Sequence, residues 1–235
     1  YINDLKPKGI IVSENSISPV INVAKKNNIK IFKLSIDNND ASGKFILRSE
    51  KSDKNKKISK NIKISSKDVA LILHTSGTTS IPKMVPLSHL NLCTSARNIV
   101  QTLDLNRNDR CINIMPLFHI HGIVCLLLSS LFSGSSIFTS SGFNALKFFS
   151  WINKFSPTWF SAVPTMHQTI LSRANNNLKV IKKTKLRFIR SSSAPLPSKT
   201  MYEIEKTFKC PVIESYGMTE ASHQMTSNHL PPGKR

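Results

Sequence analysis

Residues 69–85 read VALILHTSGTTSIPKMV. The first seven, Val69–Thr75, make a short, nearly continuous apolar run, the pattern of a strand. That run passes at once into Thr75, Ser76, Gly77, Thr78, Thr79, Ser80, Ile81, Pro82 and Lys83, a loop dense in hydroxyls with one glycine and one lysine. Such a loop presents backbone amides, hydroxyls and one cation to a polyphosphate. It is not a Walker loop, which needs glycine where Pro82 stands and serine or threonine where Met84 stands. An ordinary hydroxyl-rich turn has the same composition, so the segment alone leaves both readings open.

The same rhythm runs through the flanking chain. Residues 9–13 and 30–34 read as strands before this stretch; residues 110–114, 136–138, 159–162, 188–191 and 212–214 read as strands after it. Helical periodicity predicts helices at 88–103, 123–132, 145–155, 165–174 and 198–208. Strands alternating with helices imply an α/β fold, with mostly parallel sheets sandwiched by helices. The polar stretch 104–109 is the best boundary between two adjacent subdomains, 1–107 and 108–235.

Composition narrows the function. A chain of 235 residues with 40% hydrophobic content has the apolar material for one large core or two modest ones. Its formal charge of +20 raises nucleic acid or an anionic membrane as a partner. The distribution argues against both: nine basic residues fall between Lys44 and Lys67 among Ser, Asn and Asp, with Phe45 the one aromatic side chain available to stack on a base. That segment reads as a solvated, flexible basic loop. The apolar stretch 123–138 is broken by six Ser and Gly residues and is too polar for a membrane span, and no signal peptide is visible near the start. Cys93, Cys111, Cys125 and Cys210 form no CxxC pair and read as reduced core residues. A first residue of Tyr1 and a loop-like close at 231–235 suggest a piece of a longer protein.

Three further blocks carry chemistry. The first is MPLFHIHG, residues 115–122; taken alone, its His121 is more often a satisfied core residue than a functional one. The second is RSSSAPL, residues 190–196. The third is ESYGMTE, residues 214–220, where Tyr216 offers a stacking face, Thr219 a hydroxyl and Glu220 a hard oxygen ligand for a metal. Taken singly, YGMTE is too short to exclude chance.

In order and spacing the four segments resemble the adenylate-forming superfamily of acyl-CoA synthetases, luciferases and adenylation domains. That family's signatures are usually written TSGTTGxPKGV, SGGAPL and YGxTE; here Ser80, Met84, Ser192 and Ser193 stand at glycine positions, which costs backbone freedom. Residues 158–168, 186–190 and 221–228 are similar to the oxalate-CoA ligase branch, which also carries serine at the position of Ser80.

The resemblance implies the N-terminal domain of an AMP-forming carboxylate-CoA ligase, cytoplasmic or peroxisomal, using ATP, magnesium and coenzyme A. Lys83, His121, Thr219 and Glu220 are then the catalytic group, with Glu220 on the metal. ATP falls to Thr75, Ser76, Gly77, Thr78, Thr79, Ser80, Ser193, Ala194, Pro195, Glu214, Ser215, Tyr216, Gly217 and Thr219. The substrate carboxylate falls to His121, Ser192 and His223, with Arg190 a further donor near the signatures, and a protonated His223 would neutralise one charge of a dianion. The partners expected are ATP, CoA and a small carboxylate, with no nucleic acid, and the family's C-terminal domain would follow Arg235. An inactive remnant and a basic nucleic-acid-binding module are the rival readings.

Overall fold

The structure, a computed structural model, describes residues 2–37, 39–49, 63–75 and 82–233. The chain divides into two compact units, Tyr1–Ile62 and Lys63–Arg235. The first contains α1 (Ile2–Leu5), β1 (Gly9–Ser13), α2 (Val20–Lys26), β2 (Lys30–Ser35) and β3 (Ile46–Ser49). Strands β1 and β2 are parallel and joined through α2; β3 adds to β2 in the antiparallel sense. Residues 46–49 are therefore a strand and not the start of the basic loop. Backbone pairing with β2 suffices there, since all four side chains are exposed and leave no apolar pattern to read. Residues 50–62 of that loop lie outside the described residues.

The second unit opens with an antiparallel hairpin of β4 (Val69–Thr75) and β5 (Lys83–Ser88), in which Thr75 stands opposite Lys83. Helix α3 (His89–Thr102) follows directly. Its start is fixed by a reciprocal cap: Ser88 Oγ accepts from Asn91 N at 3.2 Å and Asn91 Oδ1 accepts from Ser88 N at 3.0 Å. The chain continues through β6 (Arg110–Asn113), a π-helix (His121–Leu128) running into α4 (Ser129–Phe132), β7 (Ser136–Thr139), α5 (Phe148–Phe155) and β8 (Trp159–Ala162). It ends with α6 (Pro164–Leu171), α7 (Leu178–Lys183), β9 (Phe188–Ser191), α8 (Ser198–Phe208), β10 (Val212–Met218) and β11 (His223–Ser227).

Six of these strands form one sheet in the order β11-β10-β9-β8-β6-β7, parallel throughout except for β11. The inner parallel strands β6, β8 and β9 and the start of β10 are buried on both faces, and their residues alternate between two cores. Ile112, Phe160, Ile189 and Val212 join the core that contains Phe148, Ile152, Ile170 and Phe208 from α5, α6 and α8. Cys111, Trp159, Phe188 and Ile213 join the core formed with Ile99 and Leu103 at α3, Val124, Cys125 and Leu126 of the π-helix, and Val85 and Leu87 of β5. This two-sided burial is why the strands read as short apolar runs. The turn 104–109 lies inside this unit, because α3 packs on the π-helix, α4 and β11.

A buried carboxylate ties the amino-terminal ends of three strands together. Asp109 is 2% exposed; it accepts from Thr158 Oγ1 at 2.7 Å, Arg187 Nη1 at 2.5 Å and Asn106 N at 3.0 Å. Removing one partner of a buried pair strands the other. Asp109→Ala should cost about 2–3 kcal/mol, toward the low side of such losses because Arg187 keeps some contact with water. Urea denaturation at neutral pH checks this, and an unchanged midpoint would contradict it.

Candidate active site

Ligands of parallel α/β sheets bind at the carboxyl ends of the strands, where the strand order reverses. Here the chain steps from β6 out to β7 and then returns to the other side of β6 as β8. At that switch the residues facing the π-helix change from apolar to polar. Cys111, Trp159 and Phe188 give way, two residues on, to Asn113, Ser161 and Arg190, which are neighbours in register across β6, β8 and β9. All three are fully buried.

The π-helix sits over this row. Asn113 Nδ2 donates to Gly122 O at 3.3 Å, and Gly122 has no room for a side chain, since a Cβ there would lie 2.4 Å from Pro116 O. His121 at the helix start is completely buried, with Nε2 2.7 Å from Ser161 Oγ and Nδ1 3.1 Å from Ser193 Oγ. Its ring stacks on His223 with centroids 5.0 Å apart. Arg190 Nη1 lies 3.2 Å from His223 Nε2, and Nη2 donates to Gln224 Oε1 at 3.1 Å. A guanidinium has no acceptor, so His223 Nε2 accepts and the ring proton is on Nδ1.

Burial, reinforced by neighbouring positive charge, holds the pKa values of His121 and His223 well below the usual histidine range. His167, whose Nε2 is 3.2 Å from Arg190 O, is lowered by burial to about 4. Neutral histidines thus surround one permanent cation. His223 is thus a neutral donor, and the permanent charge at this site belongs to Arg190.

Local backbone geometry serves the same placement. Ser193, Ser222 and His223 are left-handed, with φ of 73°, 57° and 100°. Such conformations are costly for residues with a Cβ and persist where the surroundings enforce them. Ser95 Oγ donates to Ser222 O at 2.6 Å, and Gln224 Nε2 donates to Thr102 Oγ1 at 3.1 Å, so α3 braces both sides of His223. A bulge at Tyr216/Gly217 brings β11 against β10.

Two clefts adjoin here and share Ser193 and Gly217. One, of about 450 Å³, is lined by Ser193, Ala194, Pro195, Glu214, Ser215, Tyr216 and Gly217, with Thr226, Ser227 and Asn228 opposite. Glu214 Oε1 accepts from Leu196 N at 3.1 Å and fixes the turn after β9. The other, of about 410 Å³, is lined by Thr75, Phe118, His119, Ser193, Thr219, Glu220 and His223. Tyr216 and Glu220 are exposed, whereas Thr75 Oγ1 is buried without a hydrogen-bond partner among the described residues.

Most residues singled out from sequence therefore converge. His121 reaches the second cleft through His223 and Ser193, Lys83 stands at the exposed start of β5, and Ser192 Oγ donates to Ser215 O at 3.0 Å. Ser76, Gly77, Thr78, Thr79 and Ser80 lie outside the described residues. Sequence reasoning missed Ser161, Cys125 and Gln224. A polar residue in an otherwise apolar strand, as in WFSA and FIRS, is the signal that finds Ser161 and Arg190.

A model of the AMP-binding enzyme family matches residues 1–235. The chain belongs to the AMP-binding enzyme family. Within it, an oxalate-CoA ligase of Saccharomyces cerevisiae is 49% identical over 170 residues, covering 72% of this chain and 31% of that protein. An oxalate-CoA ligase of Arabidopsis thaliana is 39% identical over 233 residues, covering 98% of this chain and 45% of that protein. The crystal structure of ATP-bound MatB from Rhodopseudomonas palustris superposes with a TM-score of 0.78 at 26% identity, covering all of this chain and 44% of that one. The chain thus spans less than half the length of these AMP-binding relatives.

A Cβ at Gly217 would lie 1.7 Å from His223 O, a backbone atom that cannot step aside alone. Gly217→Ala should therefore displace β11 and cost about 2–3 kcal/mol. Thermal unfolding is the check, and a melting temperature equal to wild type would show that β11 does not pack on Gly217.

Proposed function

We propose that the protein is the N-terminal part of an ATP-dependent carboxylate-CoA ligase that activates oxalate as an acyl-adenylate and transfers it to coenzyme A. The observation that carries this reading is the convergence of residues from four separated sequence blocks on two adjoining clefts at the carboxyl ends of one parallel sheet. The oxalate-CoA ligases among the relatives support the choice of acid.

In the first step an oxygen of the acid attacks the α-phosphorus of ATP, and the bond to pyrophosphate breaks. In the second the CoA sulfur attacks the acyl carbon, and the bond to AMP breaks. Most of the work left to the protein is positioning and charge stabilisation. Tyr216 offers its ring to adenine in the first cleft, beside the turn at Ser193, Ala194 and Pro195. Thr75, Thr219 and the loop through Ser80, with Lys83, take the phosphates. His223 donates to the acid, and His121 holds Ser193 and the stacked ring in place; Ser192 would have to turn from Ser215 O to reach it.

Glu220, Thr219 and the Thr75 hydroxyl, which has no partner among the described residues, border one cleft and offer hard oxygen donors that suit magnesium. When bound there, magnesium neutralises charge on the phosphate oxygens. Glu220 would be its carboxylate ligand.

The test is AMP release by the complete natural protein supplied with oxalate, acetate or octanoate. Oxalate should be preferred, by up to ~10⁴ where polar groups of the site are left unpaired by the other acids. A preference for octanoate would remove the substrate assignment. In the same assay Glu220→Gln should raise the magnesium concentration needed for half-maximal rate, and an unchanged magnesium titration would remove Glu220 as the metal ligand.

A further inference from the structure

Arg190 is 0% exposed, yet among the described residues no ion pair reaches it. Its neighbours are neutral: His223 Nε2, Gln224 Oε1 and the thiol of Cys125, which burial pushes up so that it stays protonated. Its Nε is buried without a hydrogen-bond partner among the described residues. A guanidinium keeps its charge even when burial lowers its pKa. A fully buried cation with no counter-charge is expensive, and such charges are ordinarily paired. The chain nonetheless holds this one in place, through Gln224 anchored to Thr102 and through His223 in a left-handed backbone conformation.

We propose that Arg190 is the specificity-determining positioning residue of the acid site, and that the second carboxylate of a short dianionic acid is its missing counter-charge. This rests on the ligase reading above. Arg190 acts through His223, which lines the cleft. By donating to Nε2 it fixes the proton on Nδ1, which leaves the ring a donor toward an anion, and its charge reaches the same place through a low-dielectric interior. His121, Cys125 and His223 also lie close enough together to hold a metal, but the guanidinium occupies the Nε2 lone pair and opposes a second cation. The pocket is built for a small anion.

The experiment compares oxalate with oxamate, which has nearly the same shape and one negative charge less, in the complete natural protein. Steady-state AMP release gives kcat and KM for wild type, Arg190→Gln and Arg190→Lys. Wild type should favour oxalate. Arg190→Gln should raise the KM for oxalate on the order of 10–100-fold, as for loss of a charge-assisted interaction, while moving that for oxamate less than about threefold. Arg190→Lys keeps a cation at the same depth and should retain most of the preference. Without acid, Arg190→Gln should melt no lower than wild type, because an unpaired buried charge has gone.

Equal losses for both acids in the glutamine variant would make Arg190 a structural residue and overturn the proposal; if that variant does not fold, loss of the oxalate preference in Arg190→Lys would overturn it. A wild type that does not prefer oxalate over octanoate would instead overturn the ligase reading beneath it.

Discussion

One guanidinium sets the terms for the rest of the site. Arg190 is enclosed between the sheet and the π-helix, and no carboxylate is paired with it among the described residues. Everything packed on it has to tolerate a permanent positive charge in a weakly polarisable interior. The histidines do so by remaining neutral, and Cys125 by remaining a thiol. Ser161 and Ser193 occupy the ring nitrogens of His121. The cost of keeping one charge buried is thus spread over a shell of neutral dipoles, with room for an anion left in the neighbouring cleft.

The sheet makes that burial possible. Register carries Asn113, Ser161 and Arg190 across three parallel strands to one level, just past the row of Cys111, Trp159 and Phe188 that fills the core beneath the π-helix. Apolar packing orders the strands, and the next row inherits that order for polar work. The π-helix contributes its amino-terminal residue, His121, and the wide turn of such helices is often found at functional sites. Asp109, Thr158 and Arg187 hold the opposite ends of the same strands, which separates the stabilising ion pair from the unpaired cation.

Much of this was legible in the sequence for a simple reason. Strands buried on both faces are short apolar runs, so β6, β8, β9 and β10 and the helices between them stood out. Strand β3 did not, because its side chains are exposed and only its backbone takes part. Strand β5 was masked by Pro82 and Pro86, although Val85 and Leu87 alternate as a half-buried strand should. The site blocks announced Tyr216, Glu220 and His121 by residue type. The depth of Arg190 was not announced, since whether an arginine lies inside depends on which strands flank it, a matter of topology and not of local pattern. The charge state of His223 was hidden for the same reason: only packing shows that a buried arginine already supplies the charge and leaves the ring neutral.

In this site an anion meets that charge through His223. The most direct test is a crystal structure of the complete protein with oxalate and AMP. Oxalate is expected with one carboxylate hydrogen-bonded to the His223 ring, while Arg190 still donates to the other ring nitrogen. Oxalate bound away from His223, or Arg190 paired with a carboxylate of the protein itself, would contradict it.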